Sequence, residues 1–276
     1  MVMKRIVLGV EYNGAGWHGW QTQPHGLTVQ DQLESALQKF TNCVVSTHCA
    51  GRTDAGVHAL EQVVHFDSDL ERPPYSWVNG VNAFLPDSIA LRWAKALESA
   101  DDTALDHFHA RFSAFARTYH YVIYNSPVRS PIWAGRAGWV FRSLDAQRMQ
   151  TAADLLIGEH DFTVFRAAGC QAKSPVKHMY EAQIRRQGEL VICSFRASAF
   201  LHHMVRNIVG ALIFVGVGRR EPGWITELLA SRDRSLAAPT FAPDGLYLAK
   251  IGYDPRWQLP QGDEYQLLGF NFSHPQ

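Results

Sequence analysis

Residues 50–59 read Ala-Gly-Arg-Thr-Asp-Ala-Gly-Val-His-Ala, and the predicted fold is built around them. Gly51 and Gly56 frame a short polar segment, and glycine lets a backbone turn sharply or approach another molecule closely. Arg52 and Asp54 are two residues apart, so an extended segment would place both on one side, where the arginine would keep the carboxylate ionised. From these residues alone, a turn stabilised by an ion pair and a functional carboxylate both remain open.

Strand-like sequence lies on both sides of this loop. Lys4 to Tyr12 alternates with period two, residues 44–48 lead into the loop, and residues 62–66 leave it. A helix is expected from Thr28, which can cap it, with Leu33 among the residues of its apolar face. The order strand, helix, strand, loop, strand predicts an α+β fold with an antiparallel or mixed sheet.

The rest of the sequence also combines predicted strands with predicted helices. Strands are predicted at residues 89–96, 117–124, 179–186, 190–197 and 245–251, and helices at 75–81, 144–157, 202–215 and 222–231. Residues 126–143 are predicted to be irregular. We therefore expect two sheet-plus-helix halves with mainly antiparallel strands flanking a basic central cleft. The expected domains are 1–106, which carries the Asp54 loop, 107–252, and a tail at 253–276.

The composition is that of an ordinary globular protein, with 46% hydrophobic and 19% charged residues. The sequence has no apolar run long enough to span a membrane and no signal-peptide layout, which predicts a cytoplasmic protein. The net charge is zero, but residues 1–110 contain 7 Lys/Arg against 13 Asp/Glu, and residues 111–276 contain 19 against 13. A basic second half suggests a polyanionic partner.

Several classes of site have no matching motif. The sequence lacks a P-loop, a GxGxxG after a strand, HExxH and GxSxG, and its four cysteines have no CxxC spacing. The pair His202 and His203 invites a metal interpretation, but adjacent residues on a helix diverge by about 100°. With no carboxylate or cysteine at ligand spacing, metal binding is disfavoured.

What remains is a carboxylate at Asp54, arginines at 52 and 206, and aromatic residues at 119 and 121. A lone aspartate can act as nucleophile or general base. Aromatic faces can sandwich a flat ring such as a nucleobase, and enzymes acting on a base in structured nucleic acid must expose it. These residues indicate an RNA- or nucleotide-acting site without specifying the reaction.

Seven segments together resemble the anticodon-arm tRNA pseudouridine synthases. The segment GRTDAGVHA at 51–59 resembles the active-site motif of that family, and the other six occur in the family's order over residues 4–252. They are YNG with GWQ at 12–21, VNAFLP at 81–86, FHARFSA at 108–114, RTYHY at 117–121, FLHHMVRNIVG at 200–210 and GLYL at 245–248.

The resemblance implies a pseudouridine synthase fold and the isomerisation of uridine to pseudouridine at tRNA positions 38, 39 and 40. It implies no cofactor and no metal, with tRNA as partner and a homodimer as the usual assembly. It assigns Asp54 as the essential aspartate, Arg206 and Arg52 as arginines near it, and Tyr119 as the residue that stacks on the target base. Further residues expected to contact substrate are Leu246, His58 and His203.

Two alternatives to this isomerase stay open at this point. A non-catalytic RNA-binding module would use the same basic face, although a binder of polyanions gains nothing from an acid such as Asp54. A metal-free nucleoside hydrolase would use Asp54 to attack C1′ and would release the base. Stacking that retains the base argues against hydrolysis, because retention matters only if the base is reattached.

Overall fold

The computed structural model describes residues 3–97 and 108–260. Within them the strands are β1 (Lys4–Tyr12), β2 (His48–Cys49), β3 (His58–Ser68), β4 (Ile89–Leu97), β5 (Ala114–Asn125), β6 (Gly138–Val140), β7 (Gly158–Asp161), β8 (Val176–Gln187), β9 (Leu190–Ala197) and β10 (Leu246–Tyr253). The helices are α1 (Val29–Thr41), α2 (Pro74–Asn82), α3 (Ala146–Asp154), α4 (Met204–Gly216) and α5 (Trp224–Ser231). No helix in these residues is long and apolar enough to cross a membrane.

The chain divides into two compact units. The first unit takes the chain up to Phe115 and again from Leu248, and the second is Ala116–Tyr247. The expected boundary between residues 106 and 107 lies outside the described residues. Both units combine strands with helices. The pairs β1–β3, β1–β4, β2–β3, β5–β9, β7–β8 and β8–β9 are antiparallel, and β6 is parallel to β5. The predicted α+β class with mainly antiparallel strands is confirmed.

The sheet of the first unit has the strand order β4-β1-β3-β10, with β2 paired to β3. Thr28 caps α1 as predicted, since its hydroxyl accepts a hydrogen bond from the backbone N–H of Asp31. Helices α1 and α2 cover the sheet around Trp77, whose ring lies 5.3 Å from that of Phe40 and 5.6 Å from that of Phe66. This packing fixes the strands that flank the Asp54 loop.

The sheet of the second unit has the order β5-β9-β8-β7. Helix α4 is almost entirely buried: ten of its thirteen residues are nearly inaccessible to solvent. Such an all-round apolar helix is stable only inside a core. A mostly buried β5 and a buried α4 therefore belong to the core of this unit, and both carry predicted site residues.

The sequence-based prediction was wrong for residues 44–48, where only His48 enters a strand. Val44 is 86% exposed, and Glu34 from α1 accepts hydrogen bonds from the backbone N–H and the hydroxyl of Thr47, at 2.7 and 2.9 Å. The Glu34 carboxylate thus accepts from the backbone N–H of Thr47, which in a strand would donate to a neighbouring strand. Two other segments contain strands not predicted there, namely β6 within 126–143 and β7 at 158–161.

Candidate active site

The Asp54 loop joins β2 to β3 and is fixed by Thr53. Thr53 is buried, its hydroxyl lies 2.7 Å from the hydroxyl of Tyr12 at the end of β1, and its carbonyl accepts from the backbone N–H of Trp20 at 3.0 Å. A further bond of 3.1 Å from the N–H of Val57 to the carbonyl of Asp54 closes a turn. Thr53 is therefore held through both its side chain and its backbone. Because Asp54 follows it directly, these bonds limit where the Asp54 carboxylate can lie.

Two glycines let the segment 13–20 pass close beneath this loop. A Cβ added at Gly14 would lie 1.9 Å from the carbonyl oxygen of Val57. One added at Gly19, where φ is +85°, would lie 2.8 Å from the carbonyl oxygen of Thr53. No larger residue fits either position without moving the loop.

The two tryptophans of this segment differ in exposure. Trp20 is 1% exposed and packs beside Tyr12 with ring centroids 5.9 Å apart, so it is a core residue. Trp17 is half-buried, and its indole N–H donates to the hydroxyl of Ser88 at 3.1 Å. Its carbonyl accepts from the N–H of Gly56 at 3.2 Å, so Trp17 also supports the loop.

Asp54 is half-buried and Arg52 is exposed. The guanidinium of Arg52 makes no hydrogen bond or ion pair in the part of the chain that the structure describes. The turn is consequently stabilised by Thr53, Tyr12 and backbone bonds rather than by an Arg52–Asp54 ion pair. An exposed, uncommitted arginine is suited to an anionic ligand.

His58 lies at the start of β3 and is only 2% exposed. Its Nδ1 accepts a hydrogen bond of 3.0 Å from the backbone N–H of Gly14. The structure thus gives His58 a supporting contact between the loop and the segment beneath it. That contact was absent from the expectations based on sequence, although both residues lie in the quoted motifs.

Tyr119 lies on β5 in the second unit, opposite Phe195 of β9. Its side chain is 9% exposed, and its ring meets that of Phe200 edge to face, with centroids 5.1 Å apart at 79°. This aromatic contact restricts the plane of the Tyr119 ring. A ring fixed in this way can serve as a stacking surface.

Arg206 lies in the first turn of α4 and is half-buried. Its Nε donates to the carbonyl of Phe241 at 2.8 Å, and its own carbonyl accepts from the N–H of Phe241 at 3.3 Å. These contacts fix the stem of the guanidinium group. The helix itself begins at Met204, and the N-cap residue before it, His203, is a non-glycine residue in the left-handed region with φ +60°, whose ring lies 4.0 Å from that of His202.

Residues 238–245 have no regular structure and contact both α4 and β5. Phe241 packs on Tyr121 with ring centroids 5.4 Å apart, and the Tyr121 hydroxyl donates to the carbonyl of Ala242 at 2.8 Å. Burial raises the pKa of Tyr121 above its usual range, so this hydroxyl keeps its proton. The N–H of Val122 donates to the carbonyl of Gly245 at 2.8 Å, immediately before buried Leu246. Arg206, β5 and Leu246 are thereby connected within one unit.

Asn207, next to Arg206, anchors the same segment from inside the core. It is completely buried and donates to the carbonyl of Phe165 at 2.8 Å. Its side-chain oxygen accepts from Arg234 at 3.0 Å and from Thr240 at 2.7 Å. Every polar atom of this amide therefore has a partner on a different stretch of chain, and no sequence pattern had singled it out.

Comparison with known proteins identifies the family. A tRNA pseudouridine synthase sequence profile matches residues 9–113 and 152–254. The chain is 66% identical to tRNA pseudouridine synthase A of Janthinobacterium sp. (strain Marseille) over 96% of this chain and 97% of that protein. It is 65% identical to the protein of that name from Herminiimonas arsenicoxydans, over 96% of this chain and 95% of that protein.

A protein of the same name from Paraburkholderia xenovorans (strain LB400) is 58% identical, over 94% of this chain and 93% of that protein. Among solved structures, a chain of a Cbf5-Nop10-Gar1 complex gives a TM-score of 0.36 at 12% identity, over 89% of this chain and 49% of that chain. The profile match includes the Asp54 loop and the whole of α4 and β10, whereas β5 lies between its two matched segments. The chain belongs to the tRNA pseudouridine synthase family.

Proposed function

We propose that this protein isomerises uridine to pseudouridine at positions 38, 39 and 40 of the tRNA anticodon stem-loop. The observation that carries the proposal is the fixed position of Asp54. It follows a buried threonine that is bonded to Tyr12 of β1 and to the backbone of Trp20, in a loop that lies within the match to the family. A carboxylate placed so firmly, with exposed Arg52 two residues away, suits an attack on a nucleotide rather than a structural turn.

The reaction breaks the bond between C1′ and N1 of the uridine and joins C1′ to C5 of the same ring. Asp54 either attacks C1′ or removes the 2′ proton, and both routes begin from an ionised carboxylate. After the ring has turned and C5 has bonded to C1′, C5 loses its proton and N1 gains one. Atoms and charge balance without any redox step.

The other predicted residues have distinct roles in this scheme. Arg206, whose Nε is held by the carbonyl of Phe241, keeps Asp54 ionised and aligned. Tyr119 stacks on the detached uracil and acts as the base for the C5 proton. Leu246 provides an apolar neighbour for the uracil ring. Exclusion of water from the site prevents hydrolysis of the sugar intermediate.

RNA contacts complete the proposal. Arg52 binds a phosphate, for which an exposed guanidinium suits the bidentate geometry. His203, half-buried beside His202, contacts RNA at the start of α4, while His58 acts by supporting the loop. We further propose that the protein works in the cytoplasm as a homodimer.

Tritium release tests the proposal. Unmodified tRNA carrying tritium at C5 of uridine should release the label with the wild-type protein and not with Asp54→Asn. Asp69→Asn is the matched control, because Asp69 is an exposed aspartate in the loop after β3 and should behave as wild type. Release by Asp54→Asn at the normal rate would refute the assignment, binding without release would indicate an RNA-binding module, and free uracil would indicate a hydrolase.

A further inference from the structure

Gln62 lies in β3 and has a polar side chain that the proposed reaction does not use, although it is completely buried, at 0% exposure. A buried amide is costly unless it is hydrogen-bonded. The Gln62 amide bonds to a single residue, Gly51: its Oε1 accepts from the backbone N–H at 3.3 Å, and its Nε2 donates to the carbonyl. One side chain of the sheet therefore holds both main-chain groups of a residue at the start of the Asp54 loop.

The register of β2 and β3 explains why a side chain is needed at this point. Strand β2 is antiparallel to β3, and one residue beyond β2 the N–H of Ala50 still donates to the carbonyl of Val63 at 2.8 Å. The next pair in this register is Gly51 with Gln62, where the side-chain amide bonds to Gly51 in place of the main chain. Because that side chain extends away from its own strand, the chain can leave β3 at Gly51 without an unsatisfied N–H or C=O. The loop thus begins at a position that Gln62 sets.

Gln62 is itself fixed within the sheet of the first unit. Its backbone pairs with Val10 of β1, immediately before the register of β1 and β3 shifts between Val10 and Tyr12. The hydroxyl of Tyr12 in turn lies 2.7 Å from that of Thr53. Each of the two strands therefore holds one residue of the loop: β3 holds Gly51 and β1 holds Thr53.

We propose that Gln62 is a positioning residue for the reaction at Asp54, and that it acts through Gly51. The inference rests on the proposed function for the identity of the reaction. Gln62 is not a catalytic residue, because a side chain with 0% exposure cannot touch RNA. A reacting group must be held within about 0.5 Å of its productive position, and a displacement of about 1 Å can cost ~100-fold in rate. Without the bonds to Gly51 the start of the loop can shift, so the Asp54 carboxylate should occupy that position less often.

Steady-state tritium release from unmodified tRNA, measured with the full chain, tests the role of Gln62. Gln62→Leu introduces a side chain of similar volume and removes both bonds to Gly51. We expect kcat per folded protein to fall by about tenfold or more, because the Asp54 carboxylate is less well placed. KM for tRNA should stay within about twofold of wild type, because a buried residue that touches no substrate contributes nothing to ground-state binding.

Gln150→Leu is the matched control in the second unit. The Gln150 side chain also binds the main chain of a strand, since it accepts from the N–H of Ile184 at 2.6 Å and donates to the carbonyl of Ala182 at 3.0 Å. Both substitutions should lower the melting temperature, because each leaves main-chain groups without their partner. Measured well below those melting temperatures, kcat should fall in Gln62→Leu and not in Gln150→Leu. This difference separates positioning from a general loss of stability.

Gln62→Glu provides a readout that depends on pH. A protonated glutamic acid can both donate and accept, as glutamine does, whereas an ionised carboxylate only accepts. Burial raises the pKa of a carboxyl group and so favours the protonated form. The ratio of the Gln62→Glu kcat to the wild-type kcat should therefore rise as the pH is lowered from about 8 to about 6, while the ratio for Gln62→Leu should stay constant. A constant ratio for both variants would contradict the role of the two bonds.

Hydrogen exchange of the loop amides gives a test that needs no turnover. The N–H of Val57 donates to the carbonyl of Asp54 at 3.1 Å, and its exchange should become faster in Gln62→Leu but not in Gln150→Leu. Unchanged exchange in Gln62→Leu would overturn the proposal, as would equal kcat values for Gln62→Leu and Gln150→Leu. Absence of tritium release by the wild type, together with faster exchange in Gln62→Leu, would refute the proposed function and still support Gln62 as the residue that positions the loop.

Discussion

The hydroxyl groups of Thr53 and Tyr12 lie 2.7 Å apart, and this bond joins the residue before Asp54 to the last residue of β1. Both residues are buried, so water cannot replace either partner. The proposed catalytic carboxylate is thus attached to the sheet through its neighbour.

Removal of the Tyr12 hydroxyl should affect both stability and catalysis. Tyr12→Phe leaves the Thr53 hydroxyl buried without this partner, which should lower the free energy of unfolding by about 1–3 kcal/mol. Because the loop is then less well fixed, kcat for tritium release should fall more than KM changes. Urea unfolding and steady-state kinetics measure the two effects. In the double variant Tyr12→Phe with Thr53→Val, the stability loss should be smaller than the sum of the single losses.

Gly14→Ala should be poorly tolerated. Its Cβ would lie 1.9 Å from the carbonyl oxygen of Val57, and a backbone atom cannot move aside as a flexible side chain can. We expect a loss of more than about 2 kcal/mol in unfolding free energy, comparable to other overpacked sites. Gly223→Ala is the control, since nothing lies within 4 Å of its added Cβ. Equal melting temperatures for the two variants would contradict the close approach described for the loop.

Asn207→Leu should disturb Arg206 from inside the core. The substitution leaves the carbonyl of Phe165 and the side chains of Arg234 and Thr240 without their shared partner. A loss of about 2–4 kcal/mol in unfolding free energy is expected, because several buried polar groups lose hydrogen bonds together. Asn207→Asp keeps the acceptor oxygen for Arg234 and should lose less. A similar loss for both variants would show that the acceptor contacts are unimportant.

Stability should fall as the pH drops below about 6.5. Burial lowers the pKa of His65 to about 3, with further lowering by the charges of Arg5, His109 and His48, while the negative charge of Asp67 opposes them. Burial also lowers the pKa of His120 to about 4. Between these values and 6.5 the unfolded chain binds protons that the folded chain does not, so acid favours unfolding.

Substitutions can show how much each buried histidine contributes to the change of stability with pH. Each buried histidine contributes a slope of at most about 1.4 kcal/mol per pH unit in this window. His120→Asn, which can keep a hydrogen bond to Ser194, should reduce the slope between pH 4 and 6. Urea unfolding at several pH values gives the slopes. A slope unchanged by His120→Asn would exclude this residue as a source.

The sequence pattern predicted β1 with its observed bounds, Lys4 to Tyr12. Residues 6–10 and Tyr12 are buried, so both faces of this strand are covered. The prediction failed at residues 44–48, where Val44 and Val45 favour a strand by composition. Glu34 lies on a neighbouring helix and accepts a hydrogen bond from the backbone N–H of Thr47. Such a tertiary contact leaves no trace in local periodicity.

The motifs predict Asp54, Arg206 and Tyr119 as site residues, and this assignment stays a prediction. The contacts that hold these residues in place were not predicted from the sequence. Phe241 supports Arg206 from a segment with no period, and its role depends on a backbone carbonyl, which any residue type provides. Sequence patterns report side chains, so support by the main chain escapes them.

The first unit is interrupted by the second along the chain, and this has a consequence for synthesis. Its fourth strand includes Leu248–Tyr253, and the hydroxyl of Tyr253 binds the turn at Ala110. A ribosome therefore completes residues 116–247 before it delivers the last strand of the unit that carries Asp54. The nascent chain cannot complete that unit until Tyr253 has been made, so translation itself delays the appearance of an active enzyme.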